Sequence, residues 1–141
     1  MLESLIEDDV IAMNLDPKYL LMMGFCYLLT IVVEIPILLV GLSRHHPIPR
    51  RLFCGVWLTA CTYPVVWFVL PEMLMDYLGW NRTGYILVAE TFAPLAECLI
   101  FWLAFGGRTS ELGARPRDYV AIVLANLASF LAGEIMYSLL D

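Results

Sequence analysis

Two glutamates set the terms on which this chain can fold. Glu34 and Glu97 each lie deep inside a long apolar run, and no Lys or Arg occurs within any of the long apolar runs. The run from Tyr85 to Gly106, about 22 residues at ~1.5 Å rise each, makes a helix long enough to cross the hydrocarbon core of a bilayer. An acid at mid-membrane costs on the order of 2.5 to 3.5 kcal/mol on insertion scales. Whatever satisfies Glu97 therefore dictates how the other helices pack around it.

Three further runs of the same kind nearly fill the chain, giving expected spans at about 19–42, 52–70, 85–106 and 119–139. The 141 residues are 61% hydrophobic and only 16% charged, against an apolar share of roughly 45 to 50% in soluble domains. The sequence predicts an all-α integral membrane protein with one domain over residues 19–141, preceded by an acidic arm or interfacial helix over residues 1–18. The lipid bilayer is its first partner; a homo-oligomer or a larger membrane complex is a compatible second. Glu3, Glu7, Asp8 and Asp9 stand where a cleavable signal would be basic, so Met1 is expected to be retained. No basic cluster interleaved with aromatics points to nucleic acid. Cys26, Cys54, Cys61 and Cys98 lie at different depths without Cys-x-x-Cys spacing, which reads as packing rather than disulfide or zinc. No cofactor is implied, and the sequence leaves a metal undetermined.

Polar residues and prolines punctuate the spans. Thr30, Glu34-Ile35-Pro36 and Gly41 lie in span one; Thr59, Thr62 and Pro64 in span two, which Pro71 is expected to stop; Glu90, Pro94 and Glu97 in span three; Asn126, Ser129, Gly133 and Glu134 in span four. The carbonyls freed by Pro36, Pro64 and Pro94 are expected to offer acceptors near the acids. His45-His46 before Pro47 reads as a hydrated turn that also suits a surface metal. Tyr77 and Trp80 suit headgroup level, and Asn81-Arg82-Thr83 matches a glycosylation acceptor, a pattern frequent by chance. Arg44, Arg50, Arg51, Arg108, Arg115 and Arg117 flank loops one and three, whereas only Lys18 and Arg82 lie on the other side. The asymmetry favours loops one and three in the cytoplasm and both termini outside.

The two halves of the chain correspond. Glu34 stands ten residues before Arg44 and Glu97 eleven before Arg108; Thr59-x-x-Thr62 follows the first basic turn much as Asn126-x-x-Ser129 follows the second. Both halves read acid, basic turn, polar pair, which predicts two duplicated helical hairpins about a pseudo-two-fold axis along the membrane normal. Counting ~1.5 Å per residue from the cytoplasmic ends places Glu34, Thr59, Glu97 and Asn126 in one layer, at about 12 to 16 Å depth. Alanines of spans three and four permit close packing there, with Val120, Leu124, Leu127 and Leu131 turned to lipid.

With no cation inside the membrane, the acids are expected to be protonated, hydrogen-bonded to Asn126 and the threonines, or occupied by an outside cation. Two functions fit. One is a proton- or cation-linked transporter, or a subunit of one, that uses Glu34, Glu97, Asn126, Thr59, Thr62 and Ser129, with Glu90, Glu134 and Thr30 secondary. The other is a non-catalytic assembly subunit whose protonated acids donate helix-packing hydrogen bonds. A carboxylate-bound metal enzyme is disfavoured because no intramembrane His accompanies the acids, so no enzymatic activity is expected.

Glu34-Ile35-Pro36, Thr59-x-x-Thr62-x-Pro64, Glu90 with Glu97, and Asn126-x-x-Ser129 with Gly133 together resemble a recurring pattern of small uncharacterised prokaryotic four-span membrane proteins. That resemblance covers the four spans and not the arm, implies the topology and a prokaryotic inner membrane, and brings no assigned activity. Its pattern tends to have Asn in span two, where this chain has Thr59. Small multidrug exporters share the size and an acid in span one, but they pair in opposite orientations, whereas the basic asymmetry here predicts a single one.

Overall fold

The computed structural model describes residues 17–105 and 113–140; the acidic arm up to residue 16 and the loop positions 106–112, Arg108 among them, lie outside the described residues. Four helices follow one another: α1 (Pro17–Gly41), α2 (Ile48–Tyr77), α3 (Arg82–Phe105) and α4 (Pro116–Leu140). Each is long and apolar enough to cross a membrane by length and composition. The architecture is that of a multi-pass membrane protein built as a four-helix bundle. The helices form a ring in which α1 and α3 each pack on α2 and α4, and the most extensive contact joins α1 to α4, closing the ring between the two ends of the chain.

Local chemistry sets where the helices begin and end. Asn81 accepts the Gly84 N–H at 2.9 Å as the N-cap of α3, which gives the Asn-Arg-Thr triplet a structural role. Pro116 opens α4, and the Asp118 carboxylate reaches back to the Arg115 N–H at 2.8 Å in the manner of a capping box. The last carbonyls of α1, which have no partner in their own helix, are met by arginines from its neighbours. Arg51 donates to Leu39 O at 2.8 Å and Arg117 to Gly41 O at 2.8 Å and Val40 O at 3.0 Å. Both cations also oppose the negative end of the α1 dipole.

Pro71 does not stop span two. The helix widens into π turns over Val65–Val69 and Glu72–Tyr77 and carries Pro71 between them, ending only near Gly79, whose φ is +67°. A proline without an N–H orphans carbonyls one turn earlier, and two tyrosines from other helices take them. Tyr19 donates to Trp67 O at 2.8 Å and Tyr85 to Val66 O at 3.0 Å. By contrast, the carbonyls freed by Pro36, Pro64 and Pro94 accept no side-chain hydrogen bond among the described residues, so they do not serve the acids.

Packing is uneven along the bundle axis. Toward loops one and three, Leu38, Leu42, Cys54, Leu58, Phe101, Ala121, Ile122 and Ala125 form one buried cluster. Toward the termini a smaller buried cluster, Leu70, Leu74 and Ala89, joins α2 to α3, whereas α1 has no buried residue before Glu34 and α4 has none after Asn126. Val120, Leu124, Leu127 and Leu131 are exposed on the outer face of α4, as a lipid-facing stripe requires.

Two glycines report this gradient. A Cβ at Gly41 would stand 2.6 Å from the Cβ of Ala121, an atom fixed to the α4 backbone, while one at Gly133 would meet nothing within 4 Å. Gly41→Ala should therefore destabilise the bundle by about 1 to 3 kcal/mol through forced separation of α1 and α4. Gly133→Ala should be neutral or stabilise by up to about 1 kcal/mol. Reversible unfolding in detergent reads both; equal effects would contradict the packing gradient.

A buried carboxyl layer as candidate functional site

The three polar positions of each half converge, and each acid is held by one side chain from α2 and one from α4. Glu34, on α1, accepts from the Thr59 hydroxyl at 2.7 Å through one carboxyl oxygen and from the Ser129 hydroxyl at 2.8 Å through the other. Glu97, on α3, accepts from the Thr62 hydroxyl at 3.1 Å and from the Asn126 amide at 2.7 Å. Glu34 and Glu97 are 1% and 2% exposed, and Thr59, Thr62 and Asn126 are buried with them. Thr59 and Thr62 lie one turn apart on α2, and so do Asn126 and Ser129 on α4; their spacing lets each of these helices serve both acids. The expectation that Asn126 partners both acids is corrected: it bonds Glu97 alone, and Ser129 takes the place beside Glu34.

Counting hydrogens shows what this arrangement can do. Each hydroxyl has one hydrogen and also faces a carbonyl of its own helix: Thr59 has Gly55 O at 3.0 Å, Thr62 has Leu58 O and Thr59 O at 3.3 Å, and Ser129 has Asn126 O at 2.9 Å. A hydroxyl beside a charged carboxylate donates to it. Beside a protonated one it accepts and turns its own hydrogen to the carbonyl. The contacts are compatible with either state. Asn126 has no such freedom, since its two amide hydrogens go to Glu97 Oε2 and to Ile122 O at 3.1 Å. Any proton on Glu97 therefore resides on Oε1, toward Thr62.

The secondary positions separate. Glu90, two turns from Glu97 on the same face of α3, is half-buried and makes no hydrogen bond or ion pair among the described residues. Glu134 pairs with Arg82 at 3.0 Å near the exposed end of the bundle. Thr30 is half-buried and stands outside the hydrogen-bonded set. Two surface grooves, one of about 240 Å³ lined by Met23, Gly24, Tyr27, Ala60, Tyr63 and Pro64 and another around Glu72 and Tyr77, include none of the six residues of the layer.

On the loop side of the layer, one turn of apolar side chains intervenes before a second polar group that sequence reasoning missed. Leu38 and Phe101 lie four residues past Glu34 and Glu97, and Ile122 four before Asn126; all three are at most 1% exposed. Beyond them His46 packs edge-on against Phe101, with centroids 5.7 Å apart, and its Nε2 lies 3.3 Å from Asp118 Oδ2. Asp118 Oδ1 also accepts the Ser43 N–H. The hydrated turn expected at His45-His46 is thus half wrong, because His46 is buried. Burial, reinforced by His45 beside it and opposed by Asp118, holds the His46 imidazole below its ordinary value and so neutral. Arg-Pro-Arg-Asp at 115–118, with Pro and an acid at helix positions one and three, is the sequence signal from which Asp118 could have been found.

No protein-family model matches the chain, and neither a curated protein nor a solved structure shows significant similarity to it.

The pairing makes a direct prediction. A double-mutant cycle of Glu97→Ala with Asn126→Ala should show a coupling of about 0.5 to 1.7 kcal/mol, as buried membrane hydrogen bonds do. A cycle of Glu34→Ala with Asn126→Ala should show much less. Unfolding in detergent measures both, and the opposite order would refute the assignment of partners.

Proposed function

We propose that this protein is a proton- or cation-linked membrane transporter, or a subunit of one, with Glu34 and Glu97 as the exchanging acids. The carrying observation is the hydroxyl geometry. Two acids, buried where a fixed charge is expensive, are held by groups that serve the charged and the protonated carboxyl alike. A purely structural hydrogen bond has no need of that tolerance. The packing gradient supports a direction of access. The apolar cluster of Leu38, Leu58, Phe101 and Ile122 closes the loop side, while Glu90 and Glu134 mark a polar approach from the terminal side.

The duplicated hairpin belongs to the same reading. Exchanging Glu34 with Glu97, Thr59 with Asn126 and Thr62 with Ser129 maps the four bonds of the layer onto one another. That exchange supports a pseudo-two-fold axis along the membrane normal. The contact of α1 with α4 is more extensive than that of α3 with α2, so in this reading the two halves have diverged in their packing. Loops one and three face the cytoplasm in this reading and both termini face out.

A second reading, an assembly subunit with permanently protonated acids, is favoured by one observation: every carboxyl oxygen of the layer already has a partner. Glu→Gln separates the two, because glutamine keeps shape and hydrogen bonding but cannot release a proton. In reconstituted vesicles Glu34→Gln and Glu97→Gln should fold normally, yet each should abolish ion- or proton-dependent flux. Full flux in both variants would remove these acids from the mechanism, and a wild-type protein without flux would favour assembly. For orientation, the exposed positions 44 and 81 are suitable probes, whereas the buried position 46 is not. On a cysteine-free background, Asn81→Cys should label from outside intact cells and Arg44→Cys should not; the reverse pattern inverts the topology.

A further inference from the structure

The His45, His46 and Asp118 side chains, which the carboxyl layer does not use, offer ligand atoms that all lie within 4.8 Å of one another. Two features of the group go beyond mere proximity. The first is His45. Its Nε2 lies 2.9 Å from the Gly113 carbonyl, an acceptor only, so Nε2 carries the hydrogen. That leaves Nδ1 with its lone pair, and this atom is buried without a hydrogen-bond partner. An imidazole that gives one N–H to a backbone carbonyl and points the other nitrogen at no donor is oriented as metal-binding histidines are.

The second is the spacing of His46 and Asp118. Their contact of 3.3 Å is long for a charge-assisted hydrogen bond, which usually closes to about 2.7 to 2.9 Å. Ligand atoms on a tetrahedral zinc ion, each about 2.0 to 2.1 Å from the metal, stand about 3.3 Å apart. The pair is already at that separation. The carboxylate stays anchored by the Ser43 and Arg115 N–H groups, so it is held in place whether or not an ion is bound.

We propose that His45 Nδ1, His46 Nε2 and Asp118 Oδ2 form a binding site for a zinc-like divalent transition-metal ion, with water as fourth ligand, at the loop-one end of the bundle. The donor set of two imidazoles and one carboxylate suits Zn²⁺ rather than Mg²⁺ or Ca²⁺, which take oxygen. Binding replaces the hydrogen between His46 and Asp118 by the ion, and the neutral imidazole, which keeps its one hydrogen, changes tautomer with no net release of a proton. The change places that hydrogen on His46 Nδ1, so Arg50, now 3.5 Å from that atom, must turn away; its guanidinium already lies over the Phe105 ring, 5.2 Å from the centroid. His45 closes the remaining gap through loop one. The occupied site ties that loop to the first turn of α4, beneath the apolar cluster that seals the carboxyl layer.

The test uses the full chain in detergent, purified without a polyhistidine tag, titrated with Co²⁺ and then with Zn²⁺. The wild type should take up one equivalent of Co²⁺ with the ligand-field spectrum of a four-coordinate site, lose it to Zn²⁺, and unfold at a higher temperature with Zn²⁺ than without. His45→Ala removes a half-buried ring and should keep the helical circular dichroism while weakening Co²⁺ affinity by more than about tenfold, the least that loss of a supporting group costs. Asp118→Asn should weaken it too, but can also loosen α4, so His45→Ala decides. Absence of saturable binding, or binding and thermal stabilisation that His45→Ala leaves unchanged, would overturn the site.

Discussion

The cost of a carboxyl group in hydrocarbon is the constraint on which the rest of this structure depends. Glu34 and Glu97 have no Lys or Arg within the spans to neutralise them, so their oxygens must be met by neutral donors at short range. Those donors come in pairs one turn apart, Thr59 with Thr62 and Asn126 with Ser129, from two helices diagonal to each other in the ring. Each of these helices must face both acids, which fixes its rotation about its own axis and its depth against α1 and α3. The alanines and glycines of the loop-side half then let the backbones approach closely enough for the short bonds to form, as Gly41 against Ala121 illustrates.

The same layer divides the bundle. On one side the interior is apolar and closed, and α1 is anchored to its neighbours by Arg51, Arg117 and the His46–Asp118 contact. On the other, burial fades in α1 and α4 and persists between α2 and α3 at Leu70, Leu74 and Ala89; α2 widens into π turns around Pro71, and tyrosine hydroxyls from other helices take over the orphaned carbonyls. A π turn weakens the local ladder and is frequent at functional sites. A closely packed half and a less buried α1–α4 face meeting at the layer is the arrangement on which the proposed one-sided access rests.

Much of this was legible in the sequence, and the residues show why. Run length and the expense of intramembrane acids marked the spans and singled out Glu34 and Glu97; helical period and depth added Thr59, Thr62, Asn126 and Ser129. What periodicity does not carry is pairing. Asn126 and Ser129 lie one turn apart on α4, and only the packing angle decides which reaches which acid. Pro71 misled for a related reason: the carbonyls it orphans are taken by tyrosines 52 and 14 residues away from it in partner helices, Tyr19 bonding Trp67 and Tyr85 bonding Val66. His46 reads as a polar turn residue until Asp118, 72 residues on, is seen against it.

The central claim is that the carboxyl layer exchanges protons from the terminal side while the loop side is sealed. Infrared difference spectroscopy on unidirectionally reconstituted vesicles tests it most directly, through the C=O stretch of the protonated carboxyl groups assigned with Glu34→Gln and Glu97→Gln. A pH step applied on the terminal side should shift that band, and the same step on the loop side should leave it unchanged. A band that responds to neither side, or only from the loop side, would contradict the account.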